Sequence, residues 1–155
     1  MVRRIITKRI GEVLLERGVI SAKQLEKAVA FQKEQGGLMG QILIKLGFIT
    51  EEEVALALTA QYGFPYLPLD NYEIDRSLTE VLPEEMARQY CTIAIDRIGN
   101  ALTLAMADPS NTKAIEDIEL YTKCVVQTFV STPSDILKAV EKYYKHAPKN
   151  TGAPS

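Results

Sequence analysis

Arg9, Gly11, Gly40, Gln32 and Gln61 are the residues of this chain whose types and spacing suit recognition of a small polar ligand. A glutamine amide donates and accepts at once, so it can read the edge of a heterocycle. Gln32 and Gln61 each stand seven residues after one apolar residue (Leu25, Val54) and three after another (Val29, Leu58), spacing that puts them on the inward stripe of a helix. There the amide serves a ligand, or it is a core amide satisfied by backbone. Glycine in the first turn of a helix lets a phosphate oxygen or purine edge approach bare amides at the positive end of the macrodipole. It equally permits tight helix-helix contact. Arg9, followed by Ile10-Gly11, adds a planar cation that can hold a phosphate or guanine edge with two bonds or stack on a ring.

These residues come in pairs because the chain repeats itself. RIGEVLLERGVISAKQLEKAVAFQ at Arg9–Gln32 returns as LMGQILIKLGFITEEEVALALTAQ at Leu38–Gln61, 24 residues each, offset by 29 and separated by the five residues KEQGG. Six paired positions are identical: Gly11/Gly40, Leu14/Leu43, Gly18/Gly47, Ile20/Ile49, Ala28/Ala57 and Gln32/Gln61. Others, such as Ser21/Thr50 and Leu15/Ile44, keep their chemical type. Chance rarely spaces glycines and glutamines alike twice, so the recurrence favours a shared task.

The elements that must position them follow from local rules. Each copy predicts a short apolar helix (about Gly11–Arg17 and Gly40–Leu46) ending in a left-handed glycine, Gly18 or Gly47. A longer helix then starts at a capping box, Ser21-x-x-Gln24 or Thr50-x-x-Glu53. The result is two tandem helical hairpins, a helical lobe over residues 1–61. Residues 62–76 read as a linker, extended and aromatic-rich through YGFPYLPLDNY. Beyond it, Ser77-x-x-Glu80 and Pro83-Glu84-Glu85 open short helical segments to about Tyr90. Strands at Cys91–Arg97 and Ala101–Ala107 flank a Gly99-Asn100 hairpin turn. A helix over Lys113–Tyr121, a third strand at Cys124–Val130 and a last helix capped by Thr132 with Pro133 complete a small lobe over 77–146. The fold class is therefore α+β, an α-β-β-α-β-α lobe with a three-stranded sheet after the helical repeats. The tail from 147 to 155 is expected to be disordered.

The doubled motif resembles the N-terminal domain of secretion and type IV pilus assembly ATPases, the MshEN or GspE-type N-terminal family. That family's motif opens Arg-Leu-Gly and closes on Gln, given twice with a short gap, and the first copy here matches it with Ile10 for leucine. The resemblance covers Arg9 to Gln61 and extends to the α-β-β-α-β-α order, including MADPSN at 106–111. It implies a binder of cyclic di-GMP, each repeat holding about half of the nearly two-fold symmetric dinucleotide. Carried over by position, Arg9, Ile10, Gly11, Leu14, Leu15 and Gln32 would contact one half. Leu38, Met39, Gly40, Leu43, Ile44 and Gln61 would contact the other. Apolar members would cover the base faces while backbone amides and glutamines read their edges. Asp108, a carboxylate at a strand end facing the repeats, would accept from guanine N–H groups. Leu38 departs from the family's arginine, and one lost charge-assisted contact is worth about 1.5–3 kcal/mol, roughly ten- to a hundredfold in affinity.

The resemblance also implies partners, an ATPase motor domain and an inner-membrane platform protein. A docking module that recruits such an ATPase without nucleotide is the alternative, motivated by Leu38 and by Tyr62, Phe64 and Tyr66 as exposed aromatics. Repeats serving only as packing units form a third reading.

Composition narrows the rest. The chain has 155 residues, 46% apolar and 25% charged, with net charge −2, and it lacks the basic stripe that duplex nucleic acid demands. It contains no run long and apolar enough to span a membrane, so direct insertion is not expected and the location expected is cytoplasmic. There is no GxxxxGK[ST] loop, His146 has no carboxylate or nucleophile near it in sequence, and Glu84/Glu85 and Glu116/Asp117 suit helix starts or solvated faces. Catalysis and metal or cofactor chemistry are not expected. Cys91 and Cys124 read as buried thiols on neighbouring strands.

Overall fold

Each repeat folds as a short helix, a glycine turn and a longer helix, because its residues impose those events in order. The structure is a computed structural model that describes residues 9–144. In the first copy α1 spans Ile10–Glu16 and α2 Ala22–Gln35; in the second α3 spans Met39–Lys45 and α4 Glu51–Tyr62. The short helices end at Gly18 (φ 74°) and Gly47 (φ 80°), where a side chain would strain the backbone. The stop is built identically twice. Gly18 N–H donates to Leu15 O and Val19 N–H to Leu14 O, while Gly47 N–H donates to Ile44 O and Phe48 N–H to Leu43 O, all at 3.0 Å. Both capping boxes form: Ser21 Oγ accepts from Gln24 N–H and Gln24 Oε1 from Ser21 N–H, an exchange that Thr50 and Glu53 repeat.

Helix α2 lies against α3 and α1 against α4, a cross-pairing that is preserved when the copies are exchanged. Each copy's long helix thus lies against the other copy's short one. Leu14, Leu43 and Leu58 have no exposed surface at the centre of this lobe, with Ile20, Ile49 and Val54 around them.

The connection after α4 is pinned rather than loose. Phe64, Leu69 and Ile74 are buried, Tyr66 bridges Val130 in parallel, and Leu67 N–H and Pro65 O bond Val130, each at 2.8 Å. Of the three aromatics expected to be exposed, Tyr66 is, Tyr62 is half-buried and Phe64 packs into the repeat core. Apolar bulk followed by proline kept Phe64 inside, since the chain crosses between two cores at this point. A 3-10 turn follows at Arg76–Glu80, capped by Asp75 rather than by Ser77, and then α5 at Glu84–Tyr90.

The sheet is mixed: β1 (Thr92–Ile98) pairs antiparallel with β2 (Ala101–Met106), and β2 pairs parallel with β3 (Val125–Val130), in the order β1-β2-β3. A bulge between Ala94 and Asp96 interrupts the first ladder, and Gly99 (φ 62°) makes the hairpin turn. Helix α6 (Thr112–Thr122) is the crossover from β2 to β3, and α7 (Pro133–Tyr143) starts at the Thr132 cap with Pro133 in its first turn. Leu82, Leu102, Leu104, Met106, Ile118 and Ile136 fill this second core. Both cysteines are free and buried, but not on neighbouring strands. Cys91 is the left-handed C-cap of α5 ahead of β1, Cys124 precedes β3, and β2 lies between those two strands. Burial pushes the Cys91 thiol up to about 12, which leaves it protonated and unreactive at neutral pH. Among the described residues no helix is long and apolar enough to cross a membrane. His146 and the segment from 147 onward lie outside the described residues.

Candidate functional site

The two copies differ at the residue that opens them. Arg9 is the exposed N-cap of α1, and its amide donates to Glu12 Oε1 at 3.2 Å. Leu38 holds the same place before α3 without a side-chain cap, and Gln41 stands where the first copy has Glu12. The first copy therefore opens on a cation beside a carboxylate, the second on two neutral residues. In both, the first-turn amides have no partner inside the helix.

Gly11 and Gly40 are both buried, for different reasons. A Cβ on Gly11 would come within 2.9 Å of Leu25 Cδ1, so this glycine lets α1 lie against α2. On Gly40 a Cβ would meet Val54 Cγ1 at 3.8 Å, an ordinary contact. A side chain at 11 must push the half-buried tip of Leu25 aside, while one at 40 need displace nothing. Gly40→Ala is expected to raise stability by up to about 1 kcal/mol through helix propensity, whereas in Gly11→Ala the shift of Leu25 should offset most of that gain. Thermal denaturation of the two variants measures the difference, and equal gains would contradict it.

The glutamines are not on the inward stripe. Gln32 is half-buried and its Nε2 donates to Gly37 O at 2.9 Å, tying the end of α2 to the spacer that leads into the second copy. Gln61 is exposed, because α4 ends one residue later and its last turn projects past the core. The apolar members divide as well. Leu14 and Leu43 are 0% exposed and Ile10 is 3% exposed, so they shape the lobe from inside and offer a ligand no surface in this arrangement. Leu15, 37% exposed, and the half-buried Leu38, Met39 and Ile44 are the ones that reach the outside.

Asp108 does lie against the repeats. It follows β2 and lines a narrow groove with Leu38, Gly40, Gln41 and Ile44 of the second copy and with Pro133 at the start of α7. Its carboxylate lies deep and accepts from Ser110 N–H at 3.0 Å and from the Ser110 hydroxyl. Burial raises its pKa above 3.8, and the two Ser110 bonds offset part of that rise. Tyr62 is also raised, first by burial and then by the charges of Asp108, Glu12 and Glu16, so the end of α4 lies near both Asp108 and the first copy's α1. An acid whose folded pKa exceeds its unfolded one is held protonated by folding, so stability is lost as pH rises from 3.8 toward the folded value. Asp108→Asn, which keeps an acceptor for Ser110, is expected to gain stability on the parent chain as pH rises from 4 to 7. Urea midpoints across that range check the sign.

The groove holds about 10 Å³, roughly one water molecule. A far larger concavity, about 940 Å³, lies elsewhere, between the 3-10 turn, β1 and the end of α6. Its rim of Glu73, Asp75, Glu80 and Asp96 repels a phosphodiester, so size does not make it the anion site. No cluster of three or more His, Cys, Asp or Glu suited to a metal occurs among the described residues.

A family model, the MshEN domain, matches residues 62–150. The chain belongs to that family. This MshEN match falls on the sheet lobe and not on the duplicated motif. The repeats enter through whole-chain likeness. The type IV pilus assembly ATPase PilB of Myxococcus xanthus is 34% identical over 136 residues, 88% of this chain. PilB of Thermus thermophilus is 30% identical over 139 residues. The chain spans 24% and 16% of those two proteins. Among solved structures, MshE with cdg (cyclic di-GMP) superposes with a TM-score of 0.65 at 31% identity, over 88% of this chain and 99% of that one. The N-terminal domain of XpsE has the same fold, with a TM-score of 0.69 at 23% identity over 92% of this chain and 98% of that one.

Proposed function

We propose that this chain is a cyclic di-GMP-sensing regulatory domain of a longer type IV pilus or type II secretion ATPase, working in the cytoplasm and carrying no catalytic centre of its own. The observation that carries the reading is the duplicated motif folded as two like helical hairpins that pair crosswise, an arrangement suited to a ligand with two like halves. The 31% identity to MshE, whose structure holds the dinucleotide, supports it. In this reading Arg9 supplies charge to one half, and the first-turn amides beside Gly11 and Gly40 meet phosphate or base edges. Leu15, Met39 and Ile44 cover base faces, Gln61 and Asp108 read guanine edges, and Gln32 does so on releasing Gly37. Leu38 completes the apolar bed, and Ile10, Leu14 and Leu43 hold from inside the helices that carry these groups. Calorimetric titration with cyclic di-GMP tests the reading: a saturable heat that weakens in Arg9→Ala is expected. No heat at high micromolar ligand, or an affinity indifferent to Arg9, would overturn it.

A second reading has one observation of its own. Leu56 on α4 is 69% exposed and Tyr66 is 45% exposed, apolar side chains of the kind that dock on a platform protein. Capture of that protein's cytoplasmic segment, indifferent to nucleotide, is the expected result; no capture removes the reading.

A further inference from the structure

Glu51 is the first residue of α4, and Ser134 lies in the first turn of α7, 83 positions further on. Ser134 N–H donates to Glu51 Oε1 at 2.9 Å, and the Ser134 hydroxyl donates to Glu51 Oε2 at 2.5 Å. One carboxylate therefore stands at the positive ends of two helices and spends both oxygens on one residue. The start of α7 is itself firm, since the Thr132 hydroxyl accepts from Asp135 N–H at 3.3 Å and Pro133 fixes the first turn. A pull on Ser134 thus moves the helix and not merely a loop.

This tie belongs to the second copy alone, for the residue matched to Glu51 in the first is Ala22. It also sits at the closed groove. Pro133, next to Ser134, and Val54, three residues after Glu51, face Leu38 and Gly40 across it. With room for about one water, that groove takes in a nucleotide base only if its walls part, the repeat side of Leu38, Gly40 and Val54 moving from the Asp108 and Pro133 side that carries α7. Leu38 adds to the closure by packing against the core of the sheet lobe.

We propose that Glu51 and Ser134 form a latch between the lobes that holds the second half-site shut, so that ligand entry there is coupled to movement of α7 away from α4. The ligand half of this inference rests on the cyclic di-GMP reading; the latch itself does not. Signal then passes as relative motion of the lobes, because whatever occupies the groove must displace the sheet lobe. Both residues are reached by water, so the latch is weak, and its loss raises the open population about fivefold.

Glu51→Ala gives the second copy the residue the first already carries, so the repeat tolerates it by precedent. Spin labels at Leu56→Cys and Leu120→Cys, positions 69% and 75% exposed, report the distance between α4 and α6 while the native thiols stay buried. The expected result is one narrow distance in the parent chain and an added longer population in Glu51→Ala. Calorimetry should give about fivefold tighter cyclic di-GMP binding, with Ser134→Ala adding nothing in the Glu51→Ala background. An unchanged distance distribution overturns the latch whatever the ligand does. A longer population with no cyclic di-GMP binding in either chain keeps the latch and removes the nucleotide reading. A longer population with weaker binding overturns closure, since Glu51 would then organise the half-site instead of shutting it.

Discussion

Leu38→Arg is expected to tighten cyclic di-GMP binding by about ten- to a hundredfold, the worth of one charge-assisted contact of roughly 1.5–3 kcal/mol. The upper part of that range is favoured by what surrounds the position. In the first copy Glu12 lies in the same turn as Arg9 and partly cancels its field, whereas the matching residue in the second copy is the neutral Gln41. A guanidinium at 38 would face phosphate without that competitor. The side chain must also change its packing. Leu38 is half-buried against the core of the sheet lobe, and an arginine there keeps its aliphatic stem on that surface while its head group reaches water. A stability loss of about 1 kcal/mol should accompany the gain in affinity. Titration calorimetry at two salt concentrations separates the parts, because an added phosphate contact steepens the salt dependence. An affinity that does not move, at either salt, would mean that no phosphate comes near position 38.

Which features were legible before the structure depended on how local their causes are. The capping boxes at Ser21/Gln24 and Thr50/Glu53, the left-handed Gly18 and Gly47, and the Thr132-Pro133 start of α7 are settled within a few residues, and all stand where the sequence puts them. The Glu12 return to Arg9 N–H was missed although its signal was present, a glutamate three residues after an N-cap. Gln32 and Gln61 could not be told apart by spacing. Their difference comes from where each helix stops: α2 continues to Gln35 beside the spacer, while α4 ends at Tyr62 and leaves its last turn in water. Phe64 reads as a surface aromatic because nothing local shows that the connection threads between two cores, with Tyr66 two residues on paired to Val130. The bond from Ser134 to Glu51 spans 83 positions and joins two helix starts that only the assembled lobes bring together. Asp108 lies between these cases, since its place at a strand end was readable while its depth and its Ser110 partner were not.

The leucine that both copies carry at their sixth position, Leu14 and Leu43, should separate structure from recognition. Leu43→Ala is expected to lower stability by about 2–5 kcal/mol, because Leu43 is 0% exposed and its removal leaves a cavity between helices that cannot fully collapse. For a chain of this size that corresponds to a drop in melting temperature on the order of 10 °C. Leu14→Ala, its counterpart in the first copy and equally buried, should lose a similar amount. The neighbouring pair behaves differently. Leu15 is 37% exposed, so Leu15→Ala should cost under about 1 kcal/mol of stability while removing apolar surface that a guanine face would cover. Melting curves with and without cyclic di-GMP therefore give a crossed pattern: Leu14→Ala and Leu43→Ala melt early but still gain stability from ligand, and Leu15→Ala melts near the parent chain and gains less. Ligand that stabilises the Leu15→Ala chain as fully as the parent would remove Leu15 from the site. Ligand that fails to stabilise Leu43→Ala at temperatures where it is folded would mean that Leu43 leaves the core on binding and touches the dinucleotide itself.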